Sequence, residues 1–381
     1  MNIALGTIFA RAGGDTLLVQ LHTPDSMAAV PVVYTLASGA KASRGSRMTA
    51  EVWLDTLDLS GNKVQTVTVT APGGQKHSYA IAFEYVIENA GLPLDGRHAL
   101  AIFFDNNTMY VGTNQGMLKS TDGGLTFTDV NIPSLGYGAV YGVYARGNLV
   151  YAATDSGVAV SSDGGNSFFM RVLKAPLPSG VYFPVSQVCA QGDTVYAASD
   201  AGVYISHDAG NSFDSSANNF LSDGGFPGIW SIYAMGSTVY AGGQEGFYIS
   251  TDGGRHFTGY APLNSGRRCN SIYLADGLIY AGTIAGVSIS GDGARDFSDP
   301  SAGGQWPSTN TYAVAASGST VCAGGTGFWL SQDGGKTYAQ YTAASGLGGQ
   351  PGNYLTVNAV AINGGVIYCG YQQYISRLTP R

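Results

Sequence analysis

Three carboxylates follow strand-like segments at matching places in this 381-residue chain: Asp155, Asp200 and Glu245. Hydrolysis of a glycosidic bond needs two carboxyl groups held ~5–10 Å apart, one as acid and one as base or nucleophile. A group drawn from three consecutive repeats, with Asp223 nearby, is a candidate for that work. The competing reading is structural and is favoured. Asp155 stands in Thr-Asp-Ser-Gly and Asp200 in Ser-Asp-Ala-Gly, where a short carboxylate caps a tight loop by accepting free backbone N–H groups.

Aromatic side chains offer a second chemistry. Tyr137, Tyr182, Phe183, Phe220, Phe226, Trp230, Tyr260, Trp306 and Tyr354 fall in or beside the longer connecting segments. Such rings stack on sugars or anchor protein interfaces. Trp230 lies inside a strand and is read as a contact between repeats, whereas Trp306, in Gly-Gly-Gln-Trp-Pro-Ser, is read as exposed. Arg267-Arg268 is the sole basic pair; it can clamp an anion or pair with neighbouring acids, and the second reading is favoured.

Other chemistries lack their residues. The five histidines have no ligand spacing and no Cys-x-x-Cys occurs, so neither metal nor cofactor is expected. Cys189, Cys269, Cys322 and Cys369 fall at core strand positions and are read as buried free thiols. Gly335-Lys336-Thr337 lacks the first glycine of a phosphate loop, and no G-x-S-x-G elbow is present. A net charge of -7 without a basic cluster argues against nucleic acid. No apolar run approaches the ~18 residues of a membrane helix, and the first residues lack a secretory signal pattern.

The elements that must position these groups are set by repetition. Ser-x-Asp-[Gly/Ala]-[Gly/Ala]-x-x-aromatic occurs six times, beginning at Ser120, Ser161, Ser206, Ser250, Ser290 and Ser331, 40 to 45 residues apart. A strand pattern, Tyr followed by two small residues, runs in phase at Tyr110, Tyr151, Tyr196, Tyr240 and Tyr280, with variants around Cys322 and Tyr368. That makes seven units for six boxes. Each unit divides at turn residues into four short strands, A to D; in the second these are 139–147, 148–154, 157–162 and 166–172. Four antiparallel strands per ~42 residues make the blade of a β-propeller.

The seventh unit ends without a box or a strand D. An open ring would leave unpaired sheet edges, so a strand from before the first blade is expected to close it, with His77 to Val86 the candidate. Residues 1–76 fall outside the units and hold about five strand-like segments, read as a small β-sandwich-like domain ahead of a propeller over 77–381. The expectation is an all-β chain: a seven-bladed propeller of four-stranded antiparallel blades with an additional small N-terminal β-domain.

The boxes themselves resemble the Asp-box, or bacterial neuraminidase repeat, β-propeller superfamily over about residues 98–381. That superfamily includes sialidases, sortilin-type receptors, xyloglucanase-like glycosidases and photosystem-assembly factors. The resemblance implies the fold; activities differ among members and do not carry over. A sialidase would need an arginine triad and a Phe-Arg-Ile-Pro-like motif, and neither is found. Asp122, Asp163, Asp208, Asp252, Asp292 and Asp333 are read as structural, each accepting backbone N–H bonds in a C–D hairpin on the outer rim.

The expected function is a non-catalytic module binding a glycan or protein ligand on the face built by the D–A and B–C loops. Its candidate contacts are Tyr137, Tyr182, Phe183, Phe226, Tyr260, Arg267, Arg268, Trp306 and Tyr354. The alternatives are a glycoside hydrolase using Asp155, Asp200 or Glu245, and a scaffold for protein assembly.

Overall fold

In a computed structural model the described residues are 85–133, 138–173, 183–217, 228–260, 268–298, 310–341, 347 and 356–380. N-terminal to these, 9–10, 16–18, 30–35, 41–42, 46–47, 52–57, 65–70, 74 and 76–82 are described. Every regular element among them is a β-strand. Seven antiparallel sheets follow one another along the chain as the blades of a propeller. Their first strands, A, are Ala99–Asp105, Val140–Arg146, Val185–Gln191, Ile229–Met235, Cys269–Ala275, Thr311–Ser317 and Val357–Asn363. Blade 5 shows three strands among the described residues, its fourth reduced to a bridge between Ile289 and Ser298.

The core is divided into layers, one between each pair of neighbouring blades. Alternation explains this. Each sheet stands radially and buries both faces, so strands B and C carry nearly continuous apolar or small residues, as in Leu149–Thr154 and Gly157–Ser161.

The repeated box begins on the last residue of strand C and forms the C–D turn. In blade 2 the Ser161 hydroxyl donates to Asp163 at 2.8 Å and accepts the Gly165 N–H at 2.9 Å. The Asp163 carboxylate accepts the N–H groups of Asn166 and Ser167 and, at 2.6 Å, the Ser167 hydroxyl. Such bonds stabilise the charged form. The Thr126, Ser167 and Ser212 hydroxyls, with backbone donors, hold Asp122, Asp163 and Asp208 down to about 2. A carboxylate with a lowered folded pKa contributes stability above its unfolded value and loses it as pH falls through the folded one. The melting temperature is therefore expected to fall between pH ~4 and ~2, and a scan of Asp163→Ala over that range should show a shallower fall.

The in-phase tyrosines complete the latch. Tyr110 donates its hydroxyl to the Gly164 carbonyl of the next blade's box at 3.2 Å, Tyr151 to Ala209 at 3.2 Å, and Tyr196 to Gly253 at 3.3 Å. The fifth box residue must be small: a Cβ on Gly210 would lie 3.0 Å from the Tyr151 ring, on a backbone with φ of +86°. In blades 1 to 3 the strand-B tyrosine thus bonds to the box of the next, whereas in blade 5 the Tyr280 hydroxyl is buried without a hydrogen-bond partner among the described residues. Blade 6 has Cys322 in that place, and blade 7, next in the ring, has no box. Around the closure, Tyr368 of blade 7 faces the box of blade 1, its hydroxyl 3.8 Å from a Cβ built on Gly123.

All four cysteines are buried and free. Burial pushes the thiols of Cys189, Cys269 and Cys322 up to about 12, and that of Cys369 well above its ordinary value. Native protein should react with a thiol-specific dye at least ~100-fold more slowly than denatured protein, because only an opened chain offers a thiolate.

The closing strand is not His77 to Val86. Tyr85–Pro93 pairs antiparallel with Tyr374–Pro380 and supplies the fourth strand of blade 7. Residues 76–82 instead pair with Gln65–Thr70 and, in parallel, with Thr16–Leu18. The chain must reach the first strand of blade 1 at Ala99, and a strand ending at Pro93 leaves only a short turn to span. Before it, the described strands make a five-stranded sheet and a separate three-stranded one, Val30–Thr35, Val52–Leu57 and Ser46–Arg47.

Candidate functional site

Strand A of every blade shifts register between its first and third residues. Such a bulge leaves its extra residue out of the ladder and re-aims its side chain. The residues so released are Leu100, Tyr141, Ser186, Trp230, Asn270, Tyr312 and Asn358. All seven line one central cavity of about 480 Å³ that runs along strand A as far as Phe104, Ala190, Ala234 and Ile362, and they stand at its end nearest the D–A and B–C loops. Tyr141 and Tyr312 are 37% and 41% exposed there.

Polar groups fix this mouth. Asp155, on the B–C loop of blade 2, accepts the Tyr141 hydroxyl at 2.7 Å and the Ala139 N–H at 2.8 Å. Burial first, then the bond to Asp155, pushes the Tyr141 phenol up to about 12, so it stays a donor at neutral pH. Asp200, on the B–C loop of blade 3, accepts Trp230 Nε1–H of blade 4 at 3.2 Å. The Arg268 guanidinium lies over the other resource of that indole, its face, 5.9 Å from the ring centroid. Asn270 donates to the Thr311 carbonyl at 3.0 Å, and Asn358 to the Ala99 carbonyl at 3.3 Å, each bridging to the next blade. One residue deeper, Gln187 accepts from Ser231 and from the Ile232 N–H, and Ser231 accepts from the Ile272 N–H, all at 2.8 Å.

Of the contacts expected from sequence, Tyr137, Tyr182, Phe226, Arg267, Trp306 and Tyr354 lie outside the described residues. Tyr260 ends the outer strand Thr258–Tyr260 of blade 4, opposite Phe247. Phe183 packs against the core layer between blades 2 and 3. Arg268 is exposed, and its guanidinium lies over the Trp230 ring. Glu245 is exposed on the B–C loop of blade 4, where its charge raises the Tyr248 phenol behind the larger effect of burial. Among the described residues no group of three or more His, Cys, Asp or Glu is placed to hold a metal ion.

Sequence reasoning passed over Tyr141 and Tyr312 and read Trp230 only as a contact. A signal existed. The first residue of strand A runs Ala, Val, Val, Ile, Cys, Thr, Val, all suited to a core; the second runs Leu, Tyr, Ser, Trp, Asn, Tyr, Asn. A position that varies so widely between equivalent strands is not packed the same way in each.

No family model and no curated protein matches this chain. Solved structures do. YCF48 bound to D1 peptide superposes with a TM-score of 0.57 at 15% identity, covering 78% of this chain and 96% of that one. The extracellular domain of a hybrid two component system from B. thetaiotaomicron gives 0.60 at 15%, covering 82% of this chain and 44% of that one. An ancestral GH74 enzyme gives 0.58 at 16%, covering 77% and 46%. At such identities the likeness is one of fold.

Proposed function

We propose that this chain is a non-catalytic binding module, and that its ligand, a protein segment or a glycan, docks at the cavity mouth on the D–A and B–C face. The observation that carries this reading is the use of the carboxylates. Asp155 and Asp200, the acids a hydrolase would want free, instead hold Tyr141 and Trp230 in place. Rings held rigidly at a pocket rim bind with little loss of side-chain entropy. A peptide-bound neighbour of the same fold supports the protein reading, and the GH74 neighbour keeps sugars in view. The box geometry likewise supports kinship with Asp-box propellers, and we take the strands up to Ala82 as a unit apart from the ring.

The expected outcome is that immobilised protein retains a peptide or glycan from displayed libraries. Tyr312→Ala or Trp230→Ala should weaken retention ~10-fold or more, as anchor aromatics do. Release of reducing sugar, abolished by Asp155→Asn or Glu245→Gln, would replace this reading with the hydrolase. Retention unchanged in both aromatic variants would move the site elsewhere.

A further inference from the structure

The mouth carries three rings on alternate blades, Tyr141 on blade 2, Trp230 on blade 4 and Tyr312 on blade 6, all lining one cavity. Two of them donate their polar hydrogen to a carboxylate, Tyr141 to Asp155 and Trp230 to Asp200. A donor bonded to an anion leaves its ring richer in electrons, and an electron-rich face attracts cations. One such contact already exists within the molecule, because the exposed guanidinium of Arg268 lies over Trp230. Among the described residues, Asp155 and Asp200 place carboxylates on two B–C loops, while Arg97 on the same face is tied to Asp129.

Resting on the binding-face reading, we infer that the mouth is a site for an organic cation, an ammonium or guanidinium group presented among Tyr141, Trp230 and Tyr312, with Arg268 as its resident competitor. The cation can come from a lysine or arginine side chain of a protein segment or from a small free amine. Both share the recognition chemistry, a positive charge against electron-rich faces backed by fixed carboxylates.

The test uses the full chain and fluorescence anisotropy at low salt. The probes are a labelled Gly-Ser-Lys-Ser-Gly peptide, its trimethyl-lysine form and its glutamate counterpart, with free choline and spermidine as competitors. The lysine and trimethyl-lysine peptides are expected to bind and the glutamate peptide not to. Tyr312→Leu and Trp230→Phe should weaken binding ~3–30-fold, the range expected of cation–π contacts. Arg268→Ala should tighten it several-fold by removing the competitor. Competition by choline at concentrations matching the peptide's own Kd assigns the site to small amines; far weaker competition assigns it to a protein segment. Preference for the glutamate peptide, weakening by Arg268→Ala, or no binding of any cation at millimolar concentration overturns the inference. If an acidic or glycan ligand instead binds and still depends on Tyr312, the binding face stands without the cation. If no ligand responds to Tyr312 or Trp230, the face itself falls.

Discussion

Tyr151→Ala will destabilise the ring by ~3–5 kcal/mol, whereas Tyr151→Phe will cost only ~0.5–1.5 kcal/mol. The side chain is fully buried between blades 2 and 3. Its ring lies against the Gly210 backbone, close enough that a Cβ there would stand 3.0 Å away. Truncation to alanine removes that ring and leaves a cavity in a layer with little freedom to collapse, since blades on either side are held by the rest of the circle. The phenylalanine variant keeps the packing and deletes only the bond to the Ala209 carbonyl. Equilibrium urea unfolding checks both, with Tyr312→Ala as comparison; Tyr312 is 41% exposed and should change stability by no more than ~0.5 kcal/mol. Equal losses for Tyr151→Ala and Tyr151→Phe would mean that the hydroxyl, not the packing, governs the latch.

A chain beginning at residue 94 will fail to form a stable soluble monomer, whereas one beginning at residue 84 will fold. The difference is one strand. Tyr85–Pro93 covers the outer edge of Tyr374–Pro380. Without it, that edge offers a row of unpaired N–H and C=O groups to any other chain, the usual route to edge-to-edge aggregation. The loss is also topological. The strand is bound to the end of the chain yet leads directly into blade 1, so it ties the last blade to the first. Size-exclusion chromatography of the two truncations decides the matter, and adding a synthetic peptide of residues 85–93 should recover monomer from the shorter one. A monomeric, cooperatively melting chain from residue 94 would show that the layer between blades 7 and 1 closes the ring unaided.

These two expectations differ in how far they were legible beforehand. The box and the tyrosine are both local strings, visible as repeats, and their phase relation already marks the odd places: Cys322 where a tyrosine belongs, and a following unit without a box. The physical link, a hydroxyl reaching into the next blade's turn, explains why the two departures occur together. The closing strand was harder. Its need followed from the missing strand D, but HSYAIAF and YVIENAGLP are equally strand-like, and the choice depends on how few residues remain to reach Ala99. The mouth was harder still. Asp155 was visible as a loop carboxylate, yet its bond to Tyr141 depends on a bulge that alternation alone does not reveal. Asp200 and Trp230 lie 30 residues apart on different blades, so nothing local joins them.

By itself, then, the amino-acid sequence determined the count of blades, the strands A to C of each, the boxes as turns rather than chemistry, and the burial of the cysteines. Each of these follows from short-range patterns repeated along the chain: turn residues, alternation and small side chains at fixed offsets. Tertiary structure alone decided which strand closes the circle, which side chains the bulges release into the cavity, and which carboxylates are committed to aromatic partners. Those outcomes depend on groups brought together by ring closure and blade stacking, whose distances in space bear no simple relation to their separation in sequence.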